Sequence, residues 1–428
     1  MTTETSIFDR PTQISDEVRQ KWRAKGWPDE LLEKALNLRV ETGAFDFWVN
    51  TPRMTVENIE KHLQCRETLM FGTLRAREAT WQDNDALAEM YADSPEEIGD
   101  WEVTVERSPY PFAQFRLQEH VAITVLEDRG VILAATCDSG RNTLVGGEKT
   151  TVHIASAWRV RKAARGKGYS HLLRTIGGPA CGWFGWYNYY TIRGQNFEAL
   201  GWIKSFLKDA VADLEAPEGE MPGRAVTVHH FEPQSGVNEA GIRLASEADL
   251  PACLRLINRT HKGADLFRPY SMEFLEQRLN DPSWGPKPAF WQPVYGWPNF
   301  YVLEQEGRIV ACGGLWDKGA NVREVWRHKE SAEEKMIDST ALMDFGYAAG
   351  REDAMVRLIE FFTGKTKELR RSHLVAGIEH LPRLVKAAAR LKPGGETRAL
   401  HWQRYDPEPD MWVADDRLKR PYMDIAYW

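Results

Sequence analysis

The sequence reads WRVRKAARGKGYSHLL from Trp158 to Leu173. An apolar run from Val152 to Val160, which favours a β-strand, leads into this basic loop. The residues from Tyr169 onward have helical spacing. The first amides of a helix lack backbone partners and lie at the positive end of its dipole, and glycines let the main chain approach a phosphate closely. The stretch therefore predicts a strand, a pyrophosphate-binding loop and a helix.

Length and composition describe a globular protein with more than one domain. The chain has 428 residues, of which 43% are hydrophobic and 27% are charged, and its formal net charge is −7. At about 100–200 residues per domain, this length predicts two or three domains. Because the chain has no polybasic tail, we expect neither a nucleic acid nor an anionic membrane as a partner.

The cysteine and hydropathy patterns predict a cytoplasmic protein. The 5 cysteines are scattered and have no metal-ligand spacing, so we expect reduced thiols and no bound metal. Residues 1–10 lack the basic and then apolar layout of a secretory signal. We also expect no membrane-spanning helix, because no uninterrupted apolar run reaches about 18 residues.

The pattern of elements divides the chain into three parts. Residues 1–72 read as a helical N-terminal extension, and from residue 74 short strands alternate with helices. Residues 232–236, Glu-Pro-Gln-Ser-Gly, have the composition of a domain boundary. We therefore predict a first α/β domain over residues 73–232 and a second over residues 240–428, the latter ending in a Pro- and Asp-rich tail.

Two sequence echoes suggest that the second domain duplicates the first. The pattern Arg-x-Ala-[Ser/Thr]-x-x-Asp occurs from Arg77 to Asp83 and again from Arg243 to Asp249. Val-Leu-Glu precedes a glycine-containing turn at residues 125–127 and again at residues 302–304. Each echo alone is weak, but the two occur in the same order, which favours duplication.

The loop resembles motif A of the GCN5-related N-acetyltransferase (GNAT) superfamily, which reads [Arg/Gln]-x-x-Gly-x-[Gly/Ala] after the fourth strand. Here the last position is a small Ser, and Asn196 opens a segment similar to the Asn-x-x-Ala of motif B. The resemblance implies a mixed α+β sheet in two tandem GNAT-like domains, with acetyl-CoA or another acyl-CoA as co-substrate. The residues that it assigns to the acyl-CoA site are Val160, Arg165, Gly166, Lys167, Gly168, Tyr169, Ser170 and Asn196.

The chain departs from the family pattern at two places. Many members carry, shortly after the motif B Asn, a Tyr that protonates the leaving thiolate, but those positions here are Ile203 and Lys204. The second copy reads Gly-Tyr-Ala-Ala-Gly-Arg at residues 346–351, where the phosphate loop should lie. We therefore expect the second copy not to bind coenzyme A.

Acyl transfer to an amine needs a base for the ammonium and an acid for the thiolate. His153, on the predicted fourth strand, is the candidate base because imidazole titrates near neutrality; the alternative is a strand His that faces solvent or bonds to backbone. Tyr190 or Tyr169 is the candidate acid in place of the missing Tyr. Ser156 is a candidate for a hydrogen bond to the substrate, or else a small residue that fills space on the strand.

An aromatic-rich segment lies in the second domain. Its members are Trp284, Phe290, Trp291, Tyr295, Trp297, Phe300 and Tyr301. They would line a pocket for a hydrophobic or aromatic acceptor, or else form a satellite core or an interface between the two copies.

Together these patterns favour an acyl-CoA-dependent N-acetyltransferase that acts on the amine of a small, partly hydrophobic molecule, with a homodimer as a candidate assembly. Two alternatives stay open. The missing Tyr favours a non-catalytic acyl-CoA sensor or scaffold. The aromatic-rich segment favours a GNAT-fold enzyme reused for lyase or decarboxylase chemistry without CoA.

Overall fold

A computed structural model describes most of the chain. The described residues are 14–37, 45, 48–49, 54–57, 59–60, 63, 69–108, 111–112, 114–118, 121–170, 172–173, 187–193, 224–280, 295–331, 333–391, 393–404 and 420–422. The predicted CoA ligand Asn196 and the aromatic residues Trp284, Phe290 and Trp291 lie outside these ranges.

The N-terminal extension is helical, as predicted. It contains α1 (Asp16–Ala24) and α2 (Asp29–Asn37), whose apolar faces bury Trp22 together with Trp48 in a core of their own. The indole of Trp22 donates a hydrogen bond to the Pro28 carbonyl at 3.1 Å, which ties the end of α1 to the start of α2. The extension therefore carries its own small hydrophobic core.

The first half of the α/β region, as far as it is described, consists mainly of strands. Its elements are β1 (Leu69–Phe71), β2 (Leu74–Glu78), α3 (Asn84–Ala92), β3 (Glu96–Ile98), β4 (Trp101–Arg107), β5 (Val121–Asp128), β6 (Val131–Val145), β7 (Glu148–Val160), β8 (Tyr187–Arg193) and β9 (Arg224–Phe231). The predicted β5–β6 hairpin is present, and β6 continues well past its apolar run because polar residues such as Ser139 and Thr143 are also buried along it.

The second half has a similar arrangement of strands with more described helices. Its elements are β10 (Ile242–Leu244), α4 (Leu250–Thr260), α5 (Met272–Leu279), β11 (Phe300–Gln305), β12 (Arg308–Trp316), β13 (Val322–His328), β14 (Glu334–Tyr347), α6 (Glu352–Glu368), β15 (His373–Ala376), α7 (Pro382–Ala388) and β16 (Pro393–Arg404).

In the first half the echoed residues form a compact ion-pair network. The Arg77 guanidinium binds Asp83 at 2.7 Å and Glu127 at 2.6 Å, which joins β2 to the start of α3 and to β5. Asp83 also accepts from the Thr80 amide at 2.6 Å. The Arg77 side chain is only 15% exposed, so this charge is largely shielded from water.

The second half holds the same network with the echoing residues. Arg243 binds Asp249 at 2.7 Å and Glu304 at 3.1 Å, and Asp249 accepts from the Ser246 amide at 2.8 Å. The Arg243 guanidinium holds the pKa of Asp249 well below its usual value. The two sequence echoes therefore mark equivalent positions of two similar units, although Arg243 is more exposed, at 43%.

The two halves exchange their last strands within one sheet. The strand order is β1-β2-β5-β6-β7-β8-β16-β9-β15-β14-β12-β11-β10. Strand β16 of the second half pairs with β8 of the first, and β9 of the first half pairs with β15 of the second. Each half thus contributes one strand to the part of the sheet formed by the other half. The domain boundaries at residues 73–232 and 240–428 stay a prediction, and one continuous sheet runs across them.

Two further contacts join the halves. Strand β4 pairs antiparallel with β13, and β13 pairs in turn with the first part of β14. At the tip of the β6–β7 hairpin, the Gly146 amide donates to the Asp265 carboxylate at 2.9 Å. The Arg420 amide donates to the other oxygen of that carboxylate at 2.9 Å, so a short C-terminal segment is held at the same place.

The different burial of the two arginines predicts unequal effects on stability. Arg77→Ala should lower the free energy of unfolding by about 3 kcal/mol, because it leaves two partly buried carboxylates without their cation. Arg243→Ala should cost about 1 kcal/mol, because water screens the more exposed pair. Urea unfolding followed by tryptophan fluorescence measures both variants, and equal losses would contradict this account.

Candidate functional site

Strand β7 changes its register with β6 near its carboxyl end. Ser156 pairs with Cys137 and Arg159 pairs with Ala135, so β7 has one more residue than β6 between these pairs. Within this interval Ala157 has a φ of 50°, a left-handed conformation that is uncommon for a residue other than glycine. This arrangement is a β-bulge, which bends a strand and redirects its backbone groups.

The bulge lies where β7 separates from β8. The two strands pair in parallel from Val152 and Tyr187 as far as Ala155 and Tyr190, although β7 continues to Val160. Beyond Ala155, the edge of β7 that faces β8 has no strand beside it in the described part of the chain. Backbone amides along such an opening can bind an extended ligand and stabilise a developing oxyanion.

The three candidate catalytic residues lie around this opening. His153 is opposite Asn188, and Tyr190 belongs to the last pair before the strands separate. The structure describes the backbone of His153 and Tyr190 but not their side chains. Ser156 is the first residue beyond the pairing. Its hydroxyl donates at 3.4 Å to the carbonyl of Cys137, on the neighbouring strand β6. The contact that Ser156 makes is therefore a contact within the sheet.

The predicted phosphate loop follows β7 directly. Gly166 and Gly168 both have a φ of 77°, so each supplies a left-handed turn that other residues adopt only with strain. A Cβ at either glycine would meet no atom within 4 Å, so the loop backbone is open toward its surroundings. The helix begins at Tyr169, and the Leu172 amide donates to the Gly168 carbonyl at 3.1 Å. The loop thus has the open backbone and the helix start that anion binding requires.

Basic side chains fasten this loop to the end of α3. Arg161 binds Glu89 at 3.1 Å and donates to the Ile132 carbonyl at 2.6 Å. The Lys162 ammonium binds Glu102 at 2.7 Å. The Arg165 guanidinium donates to the Pro95 carbonyl, directly after α3. The Arg165 side chain therefore anchors the loop to the segment that follows α3.

The remaining loop residues divide between solvent and core. Lys167 is exposed, and it has no recorded ion-pair partner among the residues that the structure describes. Val160 and Tyr169 are half-buried and pack against the cluster that contains the buried Leu173. Ser170 is half-buried at the first turn of the helix. Lys167 is consequently the cation of this loop that is most available to a ligand.

The sequence interpretation missed two residues under the β7 bulge. Tyr91, on α3, donates its hydroxyl proton to the Ala157 carbonyl at 3.2 Å, and burial raises the pKa of Tyr91 to about 12. The Arg107 guanidinium lies 4.9 Å from the centre of the Tyr91 ring and 5.1 Å from that of Phe115. Tyr91 reads simply as part of the apolar face of its helix, and Arg107 lies on a strand that the sequence pattern does not reveal.

The second half has the same opening without the loop. Strand β14 shifts register with β12 between Cys312 and Gly314, and Asp344 at that point has a φ of 45°. Pairing of β14 with β15 ends at Ala341, so these strands also separate. Helix α6 then begins with Glu352 and Asp353 in its first turn, and two carboxylates at a helix start oppose an incoming phosphate. That the second copy does not bind coenzyme A stays a prediction.

The aromatic segment belongs to the core where the structure describes it. Tyr295 and Phe300 are buried, and the Trp297 indole donates to Asn280 at 2.9 Å. The Tyr301 ring packs edge-on against Phe361, with ring centres 4.9 Å apart. These contacts fit the satellite-core interpretation rather than an open pocket.

The described ranges contain neither a metal cluster nor a membrane-spanning helix. No group of three or more His, Cys, Asp or Glu side chains there has the arrangement of a metal site. His229 pairs instead with Glu379 at 3.0 Å. Among the described helices, none combines the length and the apolar character needed to cross a bilayer.

Comparison with solved structures identifies the fold. The chain superposes on N-myristoyltransferase of Saccharomyces cerevisiae, solved with bound myristoyl-CoA, with a TM-score of 0.53 and 12% sequence identity over 82% of this chain and 89% of that one. A second structure of that enzyme, with myristoyl-CoA and inhibitors, gives a TM-score of 0.54 and 12% identity, covering 83% of this chain and 87% of that one. A GCN5-related N-acetyltransferase from Sphaerobacter thermophilus gives a TM-score of 0.43.

No protein-family model and no curated protein sequence matches the chain. The class is therefore defined by its architecture. The chain has the tandem GNAT fold, a mixed α/β fold with two similar units, as in N-myristoyltransferase.

Proposed function

We propose that the first half binds an acyl-CoA and transfers its acyl group to the amine of a small, partly hydrophobic molecule. The observation that carries this proposal is the succession along one strand of a bulge, an opening toward the next strand and an open glycine loop at a helix start. The fold of the chain is also that of an enzyme solved with bound myristoyl-CoA.

Each part of an acyl-CoA has a matching feature. The pyrophosphate would accept hydrogen bonds from the backbone amides of residues 166–170, with Lys167 supplying a cation. The pantetheine arm would run along the open edge of β7, from the loop toward Ser156. The thioester carbonyl would then lie at the bulge near Ala157, where redirected backbone amides can stabilise the oxyanion.

The chemical step follows from this placement. The amine attacks the thioester carbon, a tetrahedral intermediate carries the negative charge on oxygen, and the thiolate of CoA leaves. His153 would first take a proton from the substrate's ammonium group, which frees the nitrogen lone pair for attack, since imidazole titrates near neutrality. Tyr190 would protonate the thiolate, because it lies at the last strand pair before the opening. Ser156 would hold the bulge to β6 through its bond to Cys137.

The loop assignment predicts a charge-specific effect on binding. Calorimetry with acetyl-CoA should detect binding, and Arg165→Glu should weaken it at least about tenfold, because the loop loses its anchor to Pro95 and gains a negative charge. The matched control is Arg351→Glu, at the start of α6 in the second half, which should leave the affinity unchanged.

Two results would overturn the loop assignment. One is the absence of any affinity for acetyl-CoA or CoA at millimolar ligand. The other is equal weakening by Arg165→Glu and Arg351→Glu, which would show only an effect of overall charge.

The proton-donor assignment predicts a loss of turnover without a loss of binding. With a panel of primary amines, Tyr190→Phe should reduce the rate of thiol release from acetyl-CoA about 10–100-fold, whereas CoA affinity should be unchanged. Tyr187→Phe, at the other end of the β7–β8 pairing, is the control and should turn over normally. A full rate in Tyr190→Phe would remove Tyr190 from the mechanism.

A sensor or scaffold that binds acyl-CoA without turnover is the second candidate, favoured by Ile203 and Lys204 at the positions where the family has its Tyr. Steady thiol release with any amine of the panel excludes it. Binding of acetyl-CoA with no thiol release from any amine supports it.

A further inference from the structure

The β-bulge at Ala157 and the one at Asp344 are linked through buried side chains. Ala157 in β7 and Asp344 in β14 occupy matching positions and both have positive φ, at 50° and 45°. They differ in the hydrogen bonds that fix each bulge. The Ala157 carbonyl accepts from Tyr91, whereas Asp344 accepts hydrogen bonds through its own side chain.

Asp344 is the centre of a buried cluster in the second half. Its carboxylate accepts from the Tyr270 hydroxyl at 2.6 Å and from the Arg278 Nε at 2.8 Å, and the Tyr295 hydroxyl donates to it as well. A Cβ at Gly314 would lie 2.3 Å from the Tyr295 hydroxyl oxygen, so this phenol packs directly on the β12 backbone. The cluster therefore surrounds the second-half bulge with buried polar side chains.

Arg278 carries the link into the first half. Its Nη1 donates to the Leu117 carbonyl at 2.7 Å, so one guanidinium binds Asp344 in β14 and the end of the short helix Phe115–Leu117. The side chains of Arg278 and Asp344 are 4% and 0% exposed. A charge-assisted hydrogen bond at this depth is protected from competing water, and the rigid fork of a guanidinium fixes both of its partners at once.

From Leu117 the contacts continue to the β7 bulge. Phe115 and Gln114, at the start of the same short helix, contact Arg107: the ring of Phe115 lies under its guanidinium, and Gln114 accepts a hydrogen bond from it. Arg107 covers the ring of Tyr91, whose hydroxyl donates to the carbonyl of Ala157. The side chains of Tyr91, Arg107, Gln114, Phe115 and Arg278 are all buried, so displacement of one of them shifts the next.

We propose that Arg278 is a positioning residue for the first-half site. It fixes the short helix Phe115–Leu117 against the second half, and through Arg107 and Tyr91 it fixes the backbone of the β7 bulge at Ala157. The consequence for catalysis rests on the proposed function, because only then does the bulge hold the thioester. This gives the second half a role although it lacks the phosphate loop.

Hydrogen exchange on the full-length chain, read by mass spectrometry, tests the link without any ligand. Arg278→Lys keeps a positive charge beside Asp344, but a single ammonium cannot also hold the Leu117 carbonyl in the same geometry. Amide exchange in residues 114–118 and 155–160 should then accelerate at least about tenfold. Tyr91→Phe, which removes only the last contact, should accelerate exchange in residues 155–160 and leave residues 114–118 unchanged.

The matched control is Arg371→Lys. Arg371 binds Asp317 at 2.6 Å and Asp338 at 3.2 Å, all within the second half. This variant should leave exchange in both first-half segments unchanged. The proposal is wrong if Arg278→Lys changes exchange only within the second half, or if Arg371→Lys accelerates the two first-half segments equally.

A kinetic measurement separates this proposal from the proposed function. Arg278→Lys should lower kcat for thiol release about tenfold while the KM for acetyl-CoA and the affinity for CoA stay unchanged, because the phosphate loop is untouched. A parallel loss of CoA affinity would point to general damage and contradict positioning. If the wild-type chain binds no CoA, the proposed function fails, whereas the exchange result still decides whether Arg278 holds the bulge.

Discussion

Strand β7 pairs with two neighbouring strands, β6 and β8, over very different lengths. It pairs with β6 almost from end to end, but with β8 only from Val152 to Ala155. The bulge at Ala157 accounts for this difference, because its extra residue bends β7 away from β8 while pairing with β6 resumes beyond it. The opening beside β8, the direction of the glycine loop and the place of the helix start all follow from that bend. A straight β7 fully paired with β8 would have no exposed edge for a ligand.

The second half has a similar opening but different residues around it. It has the same kind of bulge at Asp344 and the same early end of pairing with β15, but here the side chains of Tyr270, Arg278 and Tyr295 bind the Asp344 carboxylate. Its helix α6 starts with acidic residues where the first half has a basic loop. The glycine loop and the basic residues thus lie in the first half, and the two halves are joined by exchanged strands.

The parts that sequence could predict are those with a local signal. The glycine loop and the duplicated Arg-to-Asp pattern lie within a few consecutive residues, and the structure places Arg77 and Arg243 in equivalent ion-pair networks. Strand exchange leaves no such signal, since β8 and β16 are separated by most of the second half and pair only through backbone atoms. The contacts that link Asp344 to Tyr91 could not be predicted either, because the residues come from separate segments and none of them belongs to a sequence motif.

A crystal structure of the chain with acetyl-CoA tests the central claim most directly. The account predicts the pyrophosphate on the backbone amides of residues 166–170 and the thioester in the opening between β7 and β8, close to Ala157. Acetyl-CoA bound instead between β14 and β15 of the second half, or a β7–β8 opening that stays empty at saturating ligand, would contradict it.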